Sequence, residues 1–239
     1  MIVIPMAGRS QRFHDAGYIL PKYALPLGDG TVFDHAVGGF RALFEHETFL
    51  FVTPAGAQAF VEQACEALGV RRRLIVAVDQ PTAGQGETVE VGVTRSAVAD
   101  DEPLTIFNID TFRPGFVFPG PWFANLAGWL EVFCGEGDNW SYVRPAEGVL
   151  PLAAETAEKR PISNLCCTGL YHFARADRFR EALAAERLRP QARELYVAPL
   201  FNHLIALGHR VGWRLIDRDE VVFCGIPAEY QALTRAPAP

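Results

Sequence analysis

Residues 1–27 of the chain read MIVIPMAGRSQRFHDAGYILPKYALPL, and this stretch decides the class of fold. Residues 2–5 (IVIP) are a short apolar run, which predicts a buried β-strand. A loop with two arginines, two glycines and a proline–lysine pair follows at once. In open parallel sheets, ligands bind beyond the carboxyl ends of the strands, where this loop would begin at Ala7–Gly8. From these residues alone, a phosphate-binding loop and a surface loop with solvated arginines remain equal alternatives.

The rest of the first half alternates apolar runs with segments of helical period. Strands are predicted at 49–53, 73–78 and 104–109, and helices at 31–46, around Phe60–Leu68 and at 87–98. This β-α-β-α-β order predicts an α/β fold with a mainly parallel central sheet and helices on both of its faces.

From about residue 112 to residue 145, the alternation of strand and helix patterns is no longer clear, and the sequence is rich in proline, glycine and tryptophan. Later runs predict strands at 169–174, 211–217 and 220–225, helices at 176–189 and 194–207, and a last helix from Pro227. Residues 236–239 (APAP) predict a frayed tail. Because we find no repeat and no linker, we expect a single domain over 1–239, with a first half at 1–112 and a second at 113–235.

Composition narrows the class of protein. The chain has 239 residues and a net charge of −6, which argues against duplex nucleic acid as a partner. No signal peptide and no apolar run of roughly 20 residues are recognised, so no membrane association is expected. The five cysteines form no C-x-x-C pair, and the histidines lack the spacing of metal ligands. We therefore expect a cytoplasmic protein without structural zinc.

Lysine usage is unusual. The chain contains twenty arginines but only two lysines, Lys22 and Lys159. Because cations elsewhere are almost all arginine, the two positions that kept lysine are candidates for sites that need a compact ammonium group.

A family resemblance follows from these residues. Residues 7–27, with the pattern AG-x-S-x-R-F…PK-x-x-L-P-L, resemble the signature of the sugar-1-phosphate nucleotidyltransferases, a GT-A-like superfamily of pyrophosphorylases. Five further segments match that family in the same order: 78–89 (VDQPTAGQGETV), 106–110 (IFNID), 148–161 (GVLPLAAETAEKRP), 164–173 (NLCCTGLYHF) and 223–230 (FCGIPAEY). The resemblance covers nearly the whole chain and implies a GT-A-like, Rossmann-like fold with an acceptor-binding lobe in its second half.

The resemblance also implies roles for residues. Nucleotide-binding positions would be Ala7, Gly8, Arg12, Lys22, Gln80, Gln85, Gly86, Thr88 and Asn108. The catalytic residues would be Arg12, Lys22 and Lys159, and the acceptor would contact Glu158, Lys159, Gly169 and Tyr171. Asp110 would bind Mg²⁺. Which of Gln80 and Gln85 reads the base stays open, since Gln85 could equally cap the helix at 87–98.

One departure from the family concerns the metal. A second metal-binding aspartate is common shortly before the Gly-x-Pro turn, where this chain has Phe223 and Cys224. Asp217 or Asp219 could substitute, although a solvated turn is the favoured role for both. We therefore expect the magnesium ion to rest on Asp110, phosphate oxygens and water.

The function implied is transfer of a nucleoside monophosphate from a triphosphate (CTP, UTP or dTTP) to a phosphorylated small molecule. The expected acceptor is a sugar 1-phosphate, and the expected role is synthesis of capsule or surface polysaccharide precursors. The alternatives are a cytidylyltransferase for a small non-sugar phosphate and a non-catalytic nucleotide-binding protein. A glycosyltransferase would carry an Asp-x-Asp motif, which residues 110–112 (DTF) do not supply.

The sequence leaves open the positions of three tryptophans in the stretch at 112–145. Trp122, Trp129 and Trp140 could form a wall for the acceptor, but core or subunit-interface positions are favoured. A homo-oligomer stays open.

Overall fold

A computed structural model describes residues 1–235, so the predicted tail at 236–239 lies outside the described residues. The expected α/β class with a GT-A-like fold is confirmed. The strands are β1 (Ile2–Pro5), β2 (Pro26–Leu27), β3 (Gly30–Thr31), β4 (Phe49–Pro54), β5 (Arg73–Val78), β6 (Leu104–Phe107), β7 (Thr111–Phe112), β8 (Gly128–Cys134), β9 (Ser141–Pro145), β10 (Ala153–Glu158), β11 (Leu165–Phe173), β12 (Val211–Leu215) and β13 (Val222–Phe223). The helices are α1 (Gln11–Asp15), α2 (Val32–Gly38), α3 (Gln58–Leu68), α4 (Gln85–Arg95), α5 (Ala176–Leu188), α6 (Leu200–Ala206) and α7 (Pro227–Arg235).

Nine strands form one sheet with the order β10-β9-β11-β6-β1-β4-β5, and β8 joins it between β11 and β12. Strands β6, β1, β4 and β5 are mutually parallel. Strand β11 runs antiparallel to β6, β8 and β9 and so joins the second half of the chain to this parallel core. A single sheet therefore continues across the boundary between the two halves.

Alternating side chains of the parallel strands pack on opposite faces of the sheet. Ile2 and Ile4 of β1 lie in one buried cluster with aromatic side chains from β4 and α2, whereas Val3 lies in a second cluster with α4 and α5. All three are fully buried. Two-sided burial explains why these strands read as unbroken apolar runs rather than as alternating patterns.

Two predicted helices are shorter than expected. The helix predicted at 31–46 ends at Gly38 and is followed by a 3₁₀ turn at Arg41–Leu43, because two consecutive glycines, Gly38 and Gly39, are poor helix formers. The helix predicted at 194–207 begins only at Leu200, after Pro199. A proline disfavours helical backbone at the residue before it, which accounts for this later start.

The strands at 128–134, 141–145 and 153–158 were not predicted. Strand β8 lies inside the Pro-, Gly- and Trp-rich stretch, yet its first six residues are buried at the centre of the second half. In the described residues 1–235, none of the helices is both long and apolar enough to cross a bilayer.

Candidate active site

A cavity of about 1040 Å³ opens at the carboxyl ends of β1 and β6, as expected for an open α/β sheet. Most of the predicted site residues line it: Ala7, Gly8, Arg12, Lys22, Gln85, Thr88, Asn108, Asp110, Glu158, Gly169 and Tyr171. Three predicted residues do not belong to its lining. Gln80 is exposed on a turn, Gly86 is buried behind the wall, and Lys159 lies at the rim beside Tyr196, which does line the cavity.

The loop after β1 presents an open backbone and basic side chains to the cavity. A Cβ on Gly8 would meet nothing within 4 Å, so the peptide groups of this loop are freely approachable. Ser10 has a φ of 51°, a left-handed conformation that turns the chain into α1. Arg9 and Arg12 line the cavity and are exposed. This combination suits a polyanion, because backbone N–H groups and guanidinium groups can surround its oxygens.

Lys22 and Asp110 meet across the cavity. Lys22 begins a 3₁₀ turn directly after Pro21, and its Nζ donates a hydrogen bond to Asp110 Oδ2 in a close ion pair. About a fifth of each side chain is exposed, so the pair faces the cavity while most of its surroundings are protein. Eighty-eight residues separate the two positions in sequence, and the strands β1 and β6 bring their loops together.

The donor set around Asp110 fits a magnesium ion. Carboxylate oxygen is a ligand that Mg²⁺ prefers, and the Asp110 carboxylate already stabilises one cation, the Lys22 ammonium. Within residues 1–235 no group of three or more His, Cys, Asp or Glu side chains is arranged to hold a metal. A cation here would therefore take most of its ligands from phosphate and water.

Strands β7 and β13 form a short antiparallel pair, which positions the Gly-x-Pro segment at residues 225–227 beside Asp110. The N–H of Cys224 donates to the Asp110 carbonyl oxygen at 2.8 Å. Burial first, and then the Asp110 and Glu229 carboxylates, raise the pKa of the Cys224 thiol to about 12, so this cysteine stays protonated and is a poor metal ligand. Asp217 is exposed and caps a 3₁₀ turn with Glu220, in agreement with the favoured turn role.

Glu229 belongs to the matched segment 223–230, but the sequence indicated no role for it. It lies on α7 and lines the cavity, and its Oε2 accepts hydrogen bonds from the N–H groups of Gly225 at 2.8 Å and Ile226 at 3.2 Å. A Cβ on Gly225 would stand 3.3 Å from Asp110 Oδ2 and 3.8 Å from Glu229 Oε2. A second carboxylate therefore lies near Asp110, contributed by a helix that follows the expected motif.

Gly84 and Gly86 are required in the GQG sequence at 84–86, because both lie in close contact with the backbone of Leu195. Gly84 has a φ of 148°, and a Cβ there would stand 2.7 Å from Leu195 N. The Gly86 N–H donates to the Leu195 carbonyl at 2.7 Å, and the Leu195 N–H donates to the Ala83 carbonyl at 3.0 Å. The segment before α6 is thereby fastened to the start of α4.

Of the two glutamines, Gln85 is the one on the cavity wall. It is the first residue of α4, and its Nε2 donates to Asn108 Oδ1 rather than capping the helix. The Thr88 hydroxyl donates to the Gly84 carbonyl at 3.1 Å. Gly169, with a φ of 95°, leaves room for this arrangement, since a Cβ would stand 2.8 Å from Asn108 Cγ. The side chains of Gln85 and Asn108 present amide groups that suit hydrogen bonding with the edge of a nucleotide base.

The far end of the cavity is formed by β9, β10 and β11. Glu158, the last residue of β10, has a side chain that is only 10% exposed. The Ser141 hydroxyl donates to Glu158 Oε2 and lies 3.3 Å from the Tyr171 hydroxyl. Burial is the main cause that raises the pKa of Glu158, with a smaller contribution from Glu194. Burial also raises the pKa of Tyr171 well above its usual value, so its hydroxyl stays protonated.

Lys159 extends this end of the site toward solvent. Its φ of 52° is left-handed, so the chain turns sharply as β10 ends. Its Nζ donates to the Tyr196 hydroxyl at 3.0 Å, and this hydrogen bond is the main cause that raises the pKa of Lys159. The side chain is 45% exposed. Lys22 is thus held at Asp110, whereas Lys159 is held at Tyr196 on the rim.

Several residues of this end carried too weak a sequence signal to be assigned. Trp140 lines the cavity, which is the less favoured of its expected positions, whereas Trp129 is buried in the core and Trp122 packs against it. Ser141, Glu194 and Tyr196 also line the cavity. The sequence assigned no definite site role to Tyr196 or Glu194, because the segment that carries them is placed by its long-range contacts with residues 83–86.

No protein-family model and no protein with a curated description matches the chain. Among solved structures, a nucleoside-diphosphate-sugar pyrophosphorylase from Vibrio cholerae RC9 is 44% identical, over 99% of this chain and 100% of that one, with a TM-score of 0.94. The inositol-1-phosphate CTP transferase from T. maritima is 14% identical (100% and 97% covered, TM-score 0.71). A UDP-glucose pyrophosphorylase complexed with UDP-glucose is 17% identical (98% and 96% covered, TM-score 0.73). The last two show similarity of fold alone.

Proposed function

The chain belongs to the nucleoside-diphosphate-sugar pyrophosphorylases, a family of nucleotidyltransferases, and we propose that it transfers a nucleoside monophosphate from a nucleoside triphosphate to a sugar 1-phosphate. The observation that supports this most directly is the Lys22–Asp110 pair, which lies in one cavity with the basic loop after β1, while Lys159 lies at the rim of the far end. A single cavity can thus receive a triphosphate and a second anion side by side.

The reaction is an in-line displacement at phosphorus. A phosphate oxygen of the acceptor forms a bond to the α-phosphorus, the bond from that phosphorus to the bridging oxygen breaks, and pyrophosphate leaves with the electron pair. Both reactants are anions and repel each other, so catalysis depends on alignment and on neutralisation of charge. No proton has to be removed from the attacking phosphate, because it is already ionised at neutral pH.

Each part of this chemistry has a residue on the cavity wall or its rim. The peptide groups around Ala7 and Gly8 bind the triphosphate, and Arg12 and Lys22 neutralise the charge that develops on the leaving pyrophosphate. Gln85, Asn108 and Thr88 read the base, with Gln85 preferred to the exposed Gln80 because it faces the cavity.

Lys159 binds the phosphate of the acceptor, and the walls around Glu158, Gly169 and Tyr171 receive the rest of that molecule. Asp110 would hold a magnesium ion, which would supply positive charge to offset that of the phosphates. The Lys22 ammonium, which occupies Asp110 Oδ2 here, would then turn toward the phosphates.

We further propose that the product is a precursor of capsule or surface polysaccharide, made in the cytoplasm with CTP, UTP or dTTP as donor. All five cysteines are free thiols within residues 1–235, as a reducing compartment requires. A cytidylyltransferase for a small non-sugar phosphate remains the second candidate, since the acceptor end is lined by carboxylates and aromatic rings.

The test is pyrophosphate release, measured with the four ribonucleoside triphosphates and dTTP against a panel of sugar phosphates and small phosphate esters, with Mg²⁺ or with EDTA. We expect one nucleotide to give turnover and to raise the melting temperature most, because a ligand that binds only the folded state stabilises it. We expect EDTA to abolish turnover. Tight nucleotide binding without turnover under every acceptor would instead favour a non-catalytic nucleotide-binding protein.

A further inference from the structure

The charges that line the cavity are divided between its two ends. The basic side chains Arg9, Arg12 and Lys22 lie at the nucleotide end, beside Asp110. The carboxylates Glu136, Glu158 and Glu194 lie on walls that belong to the loops and strands of the second half. Lys159, at the rim, lies 4.0 Å from Glu158, and Arg193 lines a smaller neighbouring cavity together with Glu194. Once that lysine has bound an acceptor phosphate, the remainder of the acceptor meets a surface with excess negative charge.

Glu158 shows that this negative charge is only partly compensated within the protein. Its side chain is nine-tenths buried, and its Oε2 accepts a hydrogen bond from a neutral donor, the Ser141 hydroxyl. Its Oε1 forms a long ion pair with Lys159 Nζ at 4.0 Å, beyond hydrogen-bonding distance, and the same lysine donates to Tyr196. Because a buried carboxylate without a hydrogen-bonded cation costs free energy, the position indicates a partner that arrives with the ligand.

Aromatic rings stand at the same end of the cavity. Trp140, Tyr171 and Tyr196 all line it. Aromatic faces attract cations through the ring quadrupole, and the Lys159 ammonium already lies 5.0 Å from the centroid of the Tyr196 ring. Carboxylates combined with aromatic rings form a surface that favours an organic cation over a neutral group of equal size.

We propose that the acceptor carries a positively charged nitrogen, an ammonium or quaternary ammonium group, which binds against Glu158 and the neighbouring rings while its phosphate binds at Lys159. The inference rests on the proposed function and names the substrate class of its acceptor. Since Glu158 and Lys159 are adjacent, the phosphate and the nitrogen are separated by a short chain or a single ring. An amino sugar phosphate and an amino alcohol phosphate share this chemistry.

The experiment compares acceptors matched in shape but different in charge. Choline phosphate is paired with 3,3-dimethylbutyl phosphate, which replaces the charged nitrogen by carbon, and glucosamine 1-phosphate is paired with glucose 1-phosphate. Binding to the full chain in Mg²⁺ is measured by calorimetry, and turnover by pyrophosphate release with the best nucleotide. We expect the cationic member of at least one pair to bind about tenfold more tightly than its neutral partner. The pair that shows this preference identifies the amino alcohol or the amino sugar class.

Two variants assign the preference to the site. Glu158→Gln keeps the shape of the side chain and should reduce the preference to less than about threefold, whereas Glu155→Gln should leave it unchanged. Glu155 lies on the same strand but binds Arg144 and Arg160, so it is a matched control. Glu194→Gln provides a second test if Glu158→Gln lowers the melting temperature too far.

The outcomes separate this inference from the proposed function. Equal binding of cationic and neutral partners in both pairs would overturn the inference, even where glucose 1-phosphate supports turnover and the proposed function stands. A cationic preference that survives in both Glu158→Gln and Glu194→Gln would overturn the assignment to this site. A preference in binding without pyrophosphate release from any nucleotide would support the cation site and contradict the proposed reaction.

Discussion

The two ends of the cavity are built in different ways. The nucleotide end is formed by loops that leave the parallel strands β1 and β6, and Arg9, Arg12 and Asp110 follow those strand ends closely, while Lys22 lies further along the first loop. The acceptor end is formed by antiparallel strands and by a segment that returns from a distant part of the chain. In the parallel part of the sheet, the site is formed by motifs that follow strand ends directly. In the antiparallel part, it is formed by residues that tertiary contacts bring together.

The two ends are nevertheless joined. Leu195 pairs with the backbone of residues 83 and 86 at the nucleotide end, and its neighbour Tyr196 holds Lys159 at the acceptor end. Asn202, on the helix that follows, donates to the Thr156 carbonyl and accepts from the Thr156 N–H, which completes the free edge of β10. One segment thus fixes strand β10 and the turn at residues 83–86 together.

The largest effect is expected from Lys22, at the nucleotide end. Lys22→Ala leaves the charge on the leaving pyrophosphate uncompensated, which should cost about 3 kcal/mol or more of transition-state stabilisation, at least about 100-fold in kcat/KM. The measurement is steady-state pyrophosphate release. Arg72→Ala, an exposed cation whose Nη1 contacts the His46 carbonyl, is the control and should remain active. Near-normal turnover of Lys22→Ala would contradict the role assigned to this end.

The contact of Gly84 with Leu195, which joins the two ends of the cavity, is tested by substituting the glycine. In Gly84→Ala the new Cβ would stand 2.7 Å from Leu195 backbone atoms at a left-handed φ of 148°, so the contact must open. We expect a loss of about 2 kcal/mol in the free energy of unfolding, measured by urea denaturation. Gly120→Ala, where a Cβ meets nothing within 4 Å, should change stability little. Equal stability of the two variants would show that the segment around Leu195 is not held as described.

A smaller and more selective effect is expected at the acceptor end. Lys159→Ala should raise the KM for the acceptor about tenfold and leave the KM for the nucleotide nearly unchanged, because this lysine is half exposed and lies away from Asp110. Arg160→Ala is the matched control, since its guanidinium binds Glu155 outside the cavity. An equal rise in both KM values would contradict the separate roles assigned to the two ends of the cavity.

The smallest effect concerns stability and pH. Burial raises the pKa of Glu158 in the folded protein, so its ionisation opposes folding as pH rises through that value. Glu158→Gln should therefore melt at a higher temperature than the parent protein near pH 8, with a gap that narrows as pH falls toward the ordinary carboxyl range. Thermal melts at a series of pH values measure this. A gap that widens on acidification would mean that the carboxylate is compensated.

The sequence predicted the parallel half well because its information is local. Strands β1, β4, β5 and β6 are apolar runs, and the residues that follow β1 and β6 are those that face the cavity. The motifs of the family resemblance, which are also local in sequence, indicated Arg12, Lys22 and Asp110, and all three line the cavity. The predictions were weaker from residue 112 onward, where β8, β9 and β10 lie in segments of mixed polarity.

By itself, the sequence determined the α/β class, because periodicity is set by neighbours in the chain, and its resemblance to a known family indicated the candidate residues of the nucleotide end. Only the tertiary structure decided that Glu229 joins Asp110, that Gln85 rather than Gln80 faces the cavity, and that Lys159 is held by Tyr196. These pairings depend on strand register, on left-handed turns and on the contact of Gly84 with Leu195. Such contacts join residues far apart in the chain, and no local pattern encodes them.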